Sequence, residues 1–170
     1  MGTDDAANPT EEPQAGRLTM PRGYQSPAEG EGLLPWSHVV ERLEGALNYW
    51  LATTRPDGRP HVTPVWGAWV AGVLYFDGIP TARWARNLAA NPHAAVHRES
   101  GTDVVILDGL VEDLVTGVEV AARITEIWTA KYGRLLPQPN TSGIFRLQPR
   151  TARAWSRFPD DATRWTLPEV

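Results

Sequence analysis

The chain has 170 residues, with 16 basic and 20 acidic side chains, a formal net charge of −4 and an isoelectric point near 5.5. That length makes one domain, and the acidic balance gives none of the basic faces that nucleic acid or an anionic membrane surface requires, so neither is expected as a partner. The absence of cysteine excludes disulfides, thiol nucleophiles, iron–sulfur clusters and cysteine-held zinc, so redox chemistry in this chain needs a bound cofactor.

Residues 1–32 are rich in Asp, Glu, Pro, Gly and Gln and carry neither the basic start nor the apolar stretch of a signal peptide. They read as a flexible N-terminal tail ahead of a single domain over 33–170, and the protein reads as cytoplasmic. No apolar run approaches the ~18–20 residues of a membrane span. Trp36-Ser37-His38 opens a helix to about Gly45, with Ser37 as N-cap and Val39, Val40, Leu43 and Leu47 at helical spacing. Residues 47–54 read as a strand, Arg55-Pro56-Asp57-Gly58-Arg59-Pro60 as a tight turn and 61–70 as a second strand, a hairpin. After a turn at Ala71-Gly72, residues 73–77 form a third strand rich in apolar and aromatic side chains. A short helix over 81–90 follows, with Thr81 as N-cap and Asn91-Pro92 as its stop. Residues 94–99, 103–111, and 144–147 followed by 152–157 read as further strands. The helix over 118–132 places Val120, Ile124, Ile127 and Trp128 on one face. The fold class is therefore mainly β with flanking helices: about six short antiparallel strands in a closed or nearly closed barrel, which leaves few strand edges open.

One segment has the features of a phosphate site. Thr81 to Asn87 combines a helix N-terminus and its free backbone donors, a hydroxyl, and two guanidiniums, Arg83 and Arg86, three residues apart on one face. The plain alternative is an amphipathic helix with arginines on its wet side. Other constellations fail. Only His93 and His97 of the four histidines are four apart, and they straddle a strand, where that spacing is ~13 Å. There is no nucleophile elbow, P-loop or dinucleotide fingerprint. Asp103, Asp108, Glu112 and Asp113 read as an acidic solvent face rather than an acid–base pair.

Four stretches carry a resemblance: Leu51-Ala52-Thr53-Thr54; Asp57-Gly58-Arg59-Pro60-His61-Val62-Thr63-Pro64-Val65-Trp66; Leu74-Tyr75-Phe76; and Ala85-Arg86-Asn87-Leu88-Ala89-Ala90-Asn91-Pro92. In order and spacing they resemble the pyridoxamine 5'-phosphate oxidase-like split β-barrel family, in particular its flavin- and deazaflavin-dependent oxidoreductase branch. The resemblance implies a six-stranded split barrel, a homodimer, FMN or coenzyme F420 held in grooves between subunits, and hydride transfer to a small-molecule substrate. A non-catalytic flavin, deazaflavin or haem carrier on the same barrel is the alternative.

Carried onto this chain, the resemblance implies that Thr81, Arg83, Arg86 and Asn87 hold the phosphate end and that Thr63, Pro64, Val65 and Trp66 run beside the ring. Trp155 and Arg157 close the groove across the dimer, as part of a C-terminal stretch that includes Thr163-Arg164-Trp165. The family often has a lysine where this chain has Trp84, and a threonine where it has Gly78. Trp84 is accordingly expected to stack on the ring or fill a dimer contact.

Overall fold

The computed structural model describes residues 12–25 and 27–168. Nine strands and three helices follow in the order β1 (Gln14–Arg17), α1 (Trp36–Gly45), β2 (Tyr49–Thr54), β3 (Pro60–Val65), β4 (Gly67–Val70), β5 (Val73–Phe76), α2 (Arg83–Ala90), β6 (His93–Arg98), β7 (Val104–Leu114), α3 (Val118–Tyr132), β8 (Ile144–Trp155) and β9 (Thr163–Thr166). The third helix matches its apolar periodicity to the residue. It ends on Gly133 in the left-handed region, φ 64°, whose N–H reaches the Thr129 carbonyl at 3.0 Å.

Strand pairing runs β3-β2-β6-β7-β8, and β8 continues on one side to β5 and then β4. Since β3 leads directly into β4, this circuit closes a barrel except at Trp66, where the strand expected over 61–70 is broken. Among the described residues β3 has β2 on one edge and no strand on the other. That open edge is the split.

The strand count is nine, not six, for two reasons. The Trp66 break divides one expected strand. A second pair, β1 and β9, extends the sheet from β8 with Gln14 opposite Thr166 and Arg17 opposite Thr163. The expected tail is thereby corrected: residues 14–17 are a strand, and Leu18 N–H and the Arg17 guanidinium bind the Ala162 and Asp160 carbonyls at 3.2 and 2.9 Å. Residues 1–11 lie outside the described residues. The expected strands 144–147 and 152–157 are one, bent by a register shift at Asp108/Gly109 that leaves Arg150 as the extra residue opposite β7. At that shift the backbones approach so closely that a Cβ on Gly109 would collide with the Gln148 carbonyl. Ser37 does not cap α1. The helix starts one residue earlier, behind Pro35, whose carbonyl takes the His38 N–H at 3.0 Å.

The barrel core takes the inward residues of each strand, among them Tyr49, Leu51, Val96, Leu107, Leu147 and Trp165, under Val39 and Leu43 of α1. A second cluster joins Ile124 and Trp128 of α3 to Ala68, Tyr75 and Ile144. Three of the four acidic residues on and just before β7 are ion-paired rather than a bare solvent face. Asp103 takes Arg42 and Arg98, both at 2.8 Å, Asp108 takes Arg153, and Glu112 takes Arg146 at 2.7 Å.

The last turn of α3 is stitched to the start of the barrel by two side chains. Lys131, the only lysine of the chain, donates to the Ala46 carbonyl at 2.8 Å and to the Tyr49 hydroxyl at 3.0 Å. The Tyr132 hydroxyl donates to the Leu47 carbonyl at 2.7 Å and accepts from Gly67 N–H at 3.0 Å. Burial pulls the Lys131 ammonium down to about 8. The unfolded chain therefore binds this proton more tightly than the folded one between pH ~8 and ~10.4, and there the stability contributed by this group rises with pH. Urea unfolding should show stability increasing from pH 8 to 10 in the native chain and a flatter profile in Lys131→Met. Above that range both states have lost this proton and its contribution levels off, while Tyr49 and Tyr132, raised by burial, act in the opposite sense once tyrosine in the unfolded chain ionises, from about pH 10.

Candidate functional site

The short helix α2 has two opposed faces. Arg83 and Arg86 are exposed, whereas Trp84, Ala85, Asn87 and Leu88 are buried. Neither arginine pairs with an acid among the described residues. The first backbone N–H groups of the helix have no intrahelical acceptor, and the first such bond runs from Arg86 to the Ala82 carbonyl at 3.1 Å. Two cations and free N–H donors on one helix end can hold an anion.

Two members of the expected phosphate set, Thr81 and Asn87, and the neighbouring Trp84 are placed differently. Thr81 is exposed but is not the N-cap; Ala82 is, with no side-chain cap, because the Ala82 N–H closes a turn onto Ile79 at 2.9 Å and carries Thr81 past the helix end. Trp84 offers no face to a ring or a partner. It is 8% exposed, edge-on to Phe145 at 4.7 Å and tilted against Phe76 at 5.5 Å. A Cβ on Gly78 would collide with the Trp84 ring, so the two departures from the family pattern form one packed unit. Asn87 is fully buried, and its Nδ2 donates to Thr53 Oγ1 of β2 at 3.0 Å, docking α2 on the hairpin. Its Oδ1 has no donor. Asn87→Ala should cost about 1–2 kcal/mol of stability in urea unfolding, since it leaves the Thr53 hydroxyl without its partner.

On β3, His61, Thr63 and Val65 turn to the side on which Thr53, Leu51 and Tyr49 lie, while Val62 and Pro64 face out. His61 sits opposite Thr53, and its Nδ1 is buried without a partner. Pro64 has no N–H to give, and it lies on the strand whose other edge is open. Trp66 leaves this strand altogether. Its ring stacks on Tyr132 at 4.4 Å, meets Trp128 edge-on at 6.5 Å and has the Arg134 guanidinium 5.4 Å from its centroid. Packing on α3 accounts for that side chain.

Trp155 and Arg157 do not join Arg83 and Arg86 within one chain. Phe145, at the start of β8, touches Trp84, and Trp155 is ten residues further along the same strand, roughly 30 Å away. Trp165 is not free to cross to a partner: it is fully buried in β9 and packs edge-on to Trp36 at 5.7 Å. Sequence reasoning passed over Phe158, which meets Trp155, and Tyr24, which meets Phe158 in turn; the signal for Phe158 was its place directly after Trp155-Ser156-Arg157. Among the described residues no group of three His, Asp or Glu is placed to hold a metal, and no helix is long and apolar enough to cross a membrane.

An antiparallel barrel opened along one strand, with a short basic helix packed beside the opening, defines the class: a split β-barrel. The chain belongs to the pyridoxamine 5'-phosphate oxidase family, whose family model matches residues 36–156. A solved structure described as an F420 reductase is 30% identical, with TM-score 0.51, over 66% of this chain and 93% of its own. The conserved hypothetical protein Rv2991 from Mycobacterium tuberculosis is 22% identical, with TM-score 0.61, over 78% and 89%. A heme binding protein from Mycobacterium smegmatis is 21% identical, with TM-score 0.60, over 79% and 59%. No curated protein matches the sequence.

Proposed function

We propose that this protein is an oxidoreductase that passes hydride between a bound deazaflavin, coenzyme F420, or FMN and a small organic substrate, and that it works as a homodimer. The observation that carries this reading is an open backbone edge on β3 next to a helix, α2, that presents two arginines with no acid partner among the described residues. His61 Nδ1, buried and without a partner opposite the residue on which α2 docks, fits a ligand whose polar atoms reach that seam.

When bound, such a cofactor supplies the hydride transfer itself. The chain binds and orients. Arg83, Arg86 and the first N–H groups of α2 hold the phosphate, and the backbone over 63–66 offers donors and acceptors to the polar edge of the ring. Pro64 restricts which of those positions donates. Because Trp155 and Arg157 stand at the far end of β8, they close the groove of the partner subunit rather than their own. The outward side of the sheet, with Val62 53% exposed and Trp50 stacked on His97, gives the second copy an apolar face to cover. The similarity to an F420 reductase at 30% identity, and the absence at position 84 of the lysine that the family often has there, favour F420 over FMN.

Fluorescence titration of the cofactor-stripped protein tests this. Binding of F420 at micromolar concentration or tighter is expected, and binding of neither F420 nor FMN overturns the reading. Reduced cofactor that no acceptor reoxidises would instead make the protein a carrier. Sedimentation at micromolar concentration should give a dimer; a monomer removes the shared groove.

A further inference from the structure

We propose that Tyr24 and Phe158, together with Trp155 and Arg157, form a recognition surface for the planar aromatic part of an anionic small molecule. This rests on the function proposed above and names the substrate class of that site: flat, aromatic and negatively charged. Both new residues lie outside the stretch that the family model matches, residues 36–156.

The three rings form a ladder. Phe158 meets Trp155 edge-on at 5.5 Å and Tyr24 edge-on at 5.6 Å. Edge-on contact leaves ring faces uncovered: Tyr24 is 55% and Phe158 44% exposed. Exposed aromatics scattered singly need no explanation, but a contiguous set does. The guanidinium beside them is also available. The Arg157 side chain is 76% exposed, and the acid nearest to it, Asp161, stands 3.9 Å away. That carboxylate is already used, accepting the backbone N–H of Ser156 at 3.1 Å and of Arg157 at 2.8 Å. The other neighbouring acid, Asp160, makes no ion pair among the described residues.

The surface is also held in place. Asp161, 2% exposed, fixes the loop from inside, and Asp160 N–H closes it onto the Arg157 carbonyl at 2.7 Å. On the other side, Tyr24 N–H closes a turn onto the Pro21 carbonyl at 3.3 Å, in a segment tied to the sheet further off. Its start is held by β1 on β9, and further along Leu34 N–H donates to Thr163 Oγ1 at 2.9 Å. Rings that are fixed before the ligand arrives lose little freedom on binding it. Aromatic faces stack on a flat ring, and a guanidinium both stacks and takes a carboxylate by two hydrogen bonds. A planar aromatic anion satisfies both halves of the surface at once.

Calorimetric titration of the full chain with 2-naphthoate and with cyclohexanecarboxylate separates stacking from charge. We expect naphthoate to bind about tenfold tighter. Tyr24→Ala/Phe158→Ala should abolish that preference and Tyr24→Phe should keep it, while Arg157→Gln weakens both ligands alike. Equal affinities in the native chain, or a preference that survives the double substitution, overturn the proposal. So does a double variant that dissociates to monomers when the native chain shows no naphthoate preference, since the occupant is then a second copy. F420 titration of the same variants keeps the two readings apart: naphthoate preference without F420 or FMN binding overturns the proposed activity and leaves this surface standing. Tyr24→Ser/Phe158→Leu serves as a second pair should the alanine variant fail to fold.

Discussion

Gly109→Ala should destabilise the protein by about 3 kcal/mol, the upper end of what overpacking usually costs, and lower its melting temperature by about 10 °C. The cause is local. A Cβ at this position would collide with the Gln148 carbonyl oxygen and crowd Pro149 Cα, all backbone on the facing strand, so no side chain can swing away to relieve it. The register shift between β7 and β8 falls where these two backbones approach closely. Gly45→Ala is the control. Gly45 closes α1 with open space around it, so the substitution should be neutral or stabilising by up to about 1 kcal/mol through helix propensity. Parallel thermal melts of the two variants decide the matter, and a Gly109→Ala protein as stable as Gly45→Ala would mean that the strands can part.

Replacing Arg83 and Arg86 together by alanine should weaken cofactor binding by about 3–6 kcal/mol, at ~1.5–3 kcal/mol for each charged hydrogen bond lost. That corresponds to a roughly hundredfold to ten-thousandfold rise in Kd. Folding stability should move by less than about 0.5 kcal/mol, because both side chains are exposed and make no ion pair among the described residues. The two measurements together are diagnostic. Lost affinity at unchanged stability is the signature of a ligand contact, whereas unchanged affinity discards the phosphate assignment and leaves α2 as a solvated helix.

Local signals were the readable part of this chain. Apolar periodicity placed α3 to the residue, and the turn residues 55–60 placed the β2–β3 hairpin. The spacing of Arg83 and Arg86 put both on the wet face of α2, as the structure has them. What failed depended on contacts distant in the chain. The strand β1 is four residues of low apolar content, and only its partner β9, about 150 residues later, makes it a strand. Trp84 and Asn87 share the helix with the two arginines, yet Phe145 and Thr53, from other strands, decide that they are buried. Trp66 was read along its strand, but α3 takes its ring. The distance between Trp155 and Arg83 follows from the continuity of β8, which a sequence interrupted by Gln148-Pro149-Arg150 conceals.

The pairing of β1 with β9 changes which residues of the chain can be regarded as dispensable. A version trimmed to the span shared with the family, residues 36–156, would keep every strand of the barrel circuit but lose β1 and β9. Thr151 to Ala154 of β8 would then have unused backbone donors and acceptors facing water, and Trp36 would lose the indole it packs on. Such a fragment would recruit strands from neighbouring molecules and aggregate, although its sequence contains the whole recognisable motif. In this protein the span that the family model matches lies inside the boundary of the folding unit.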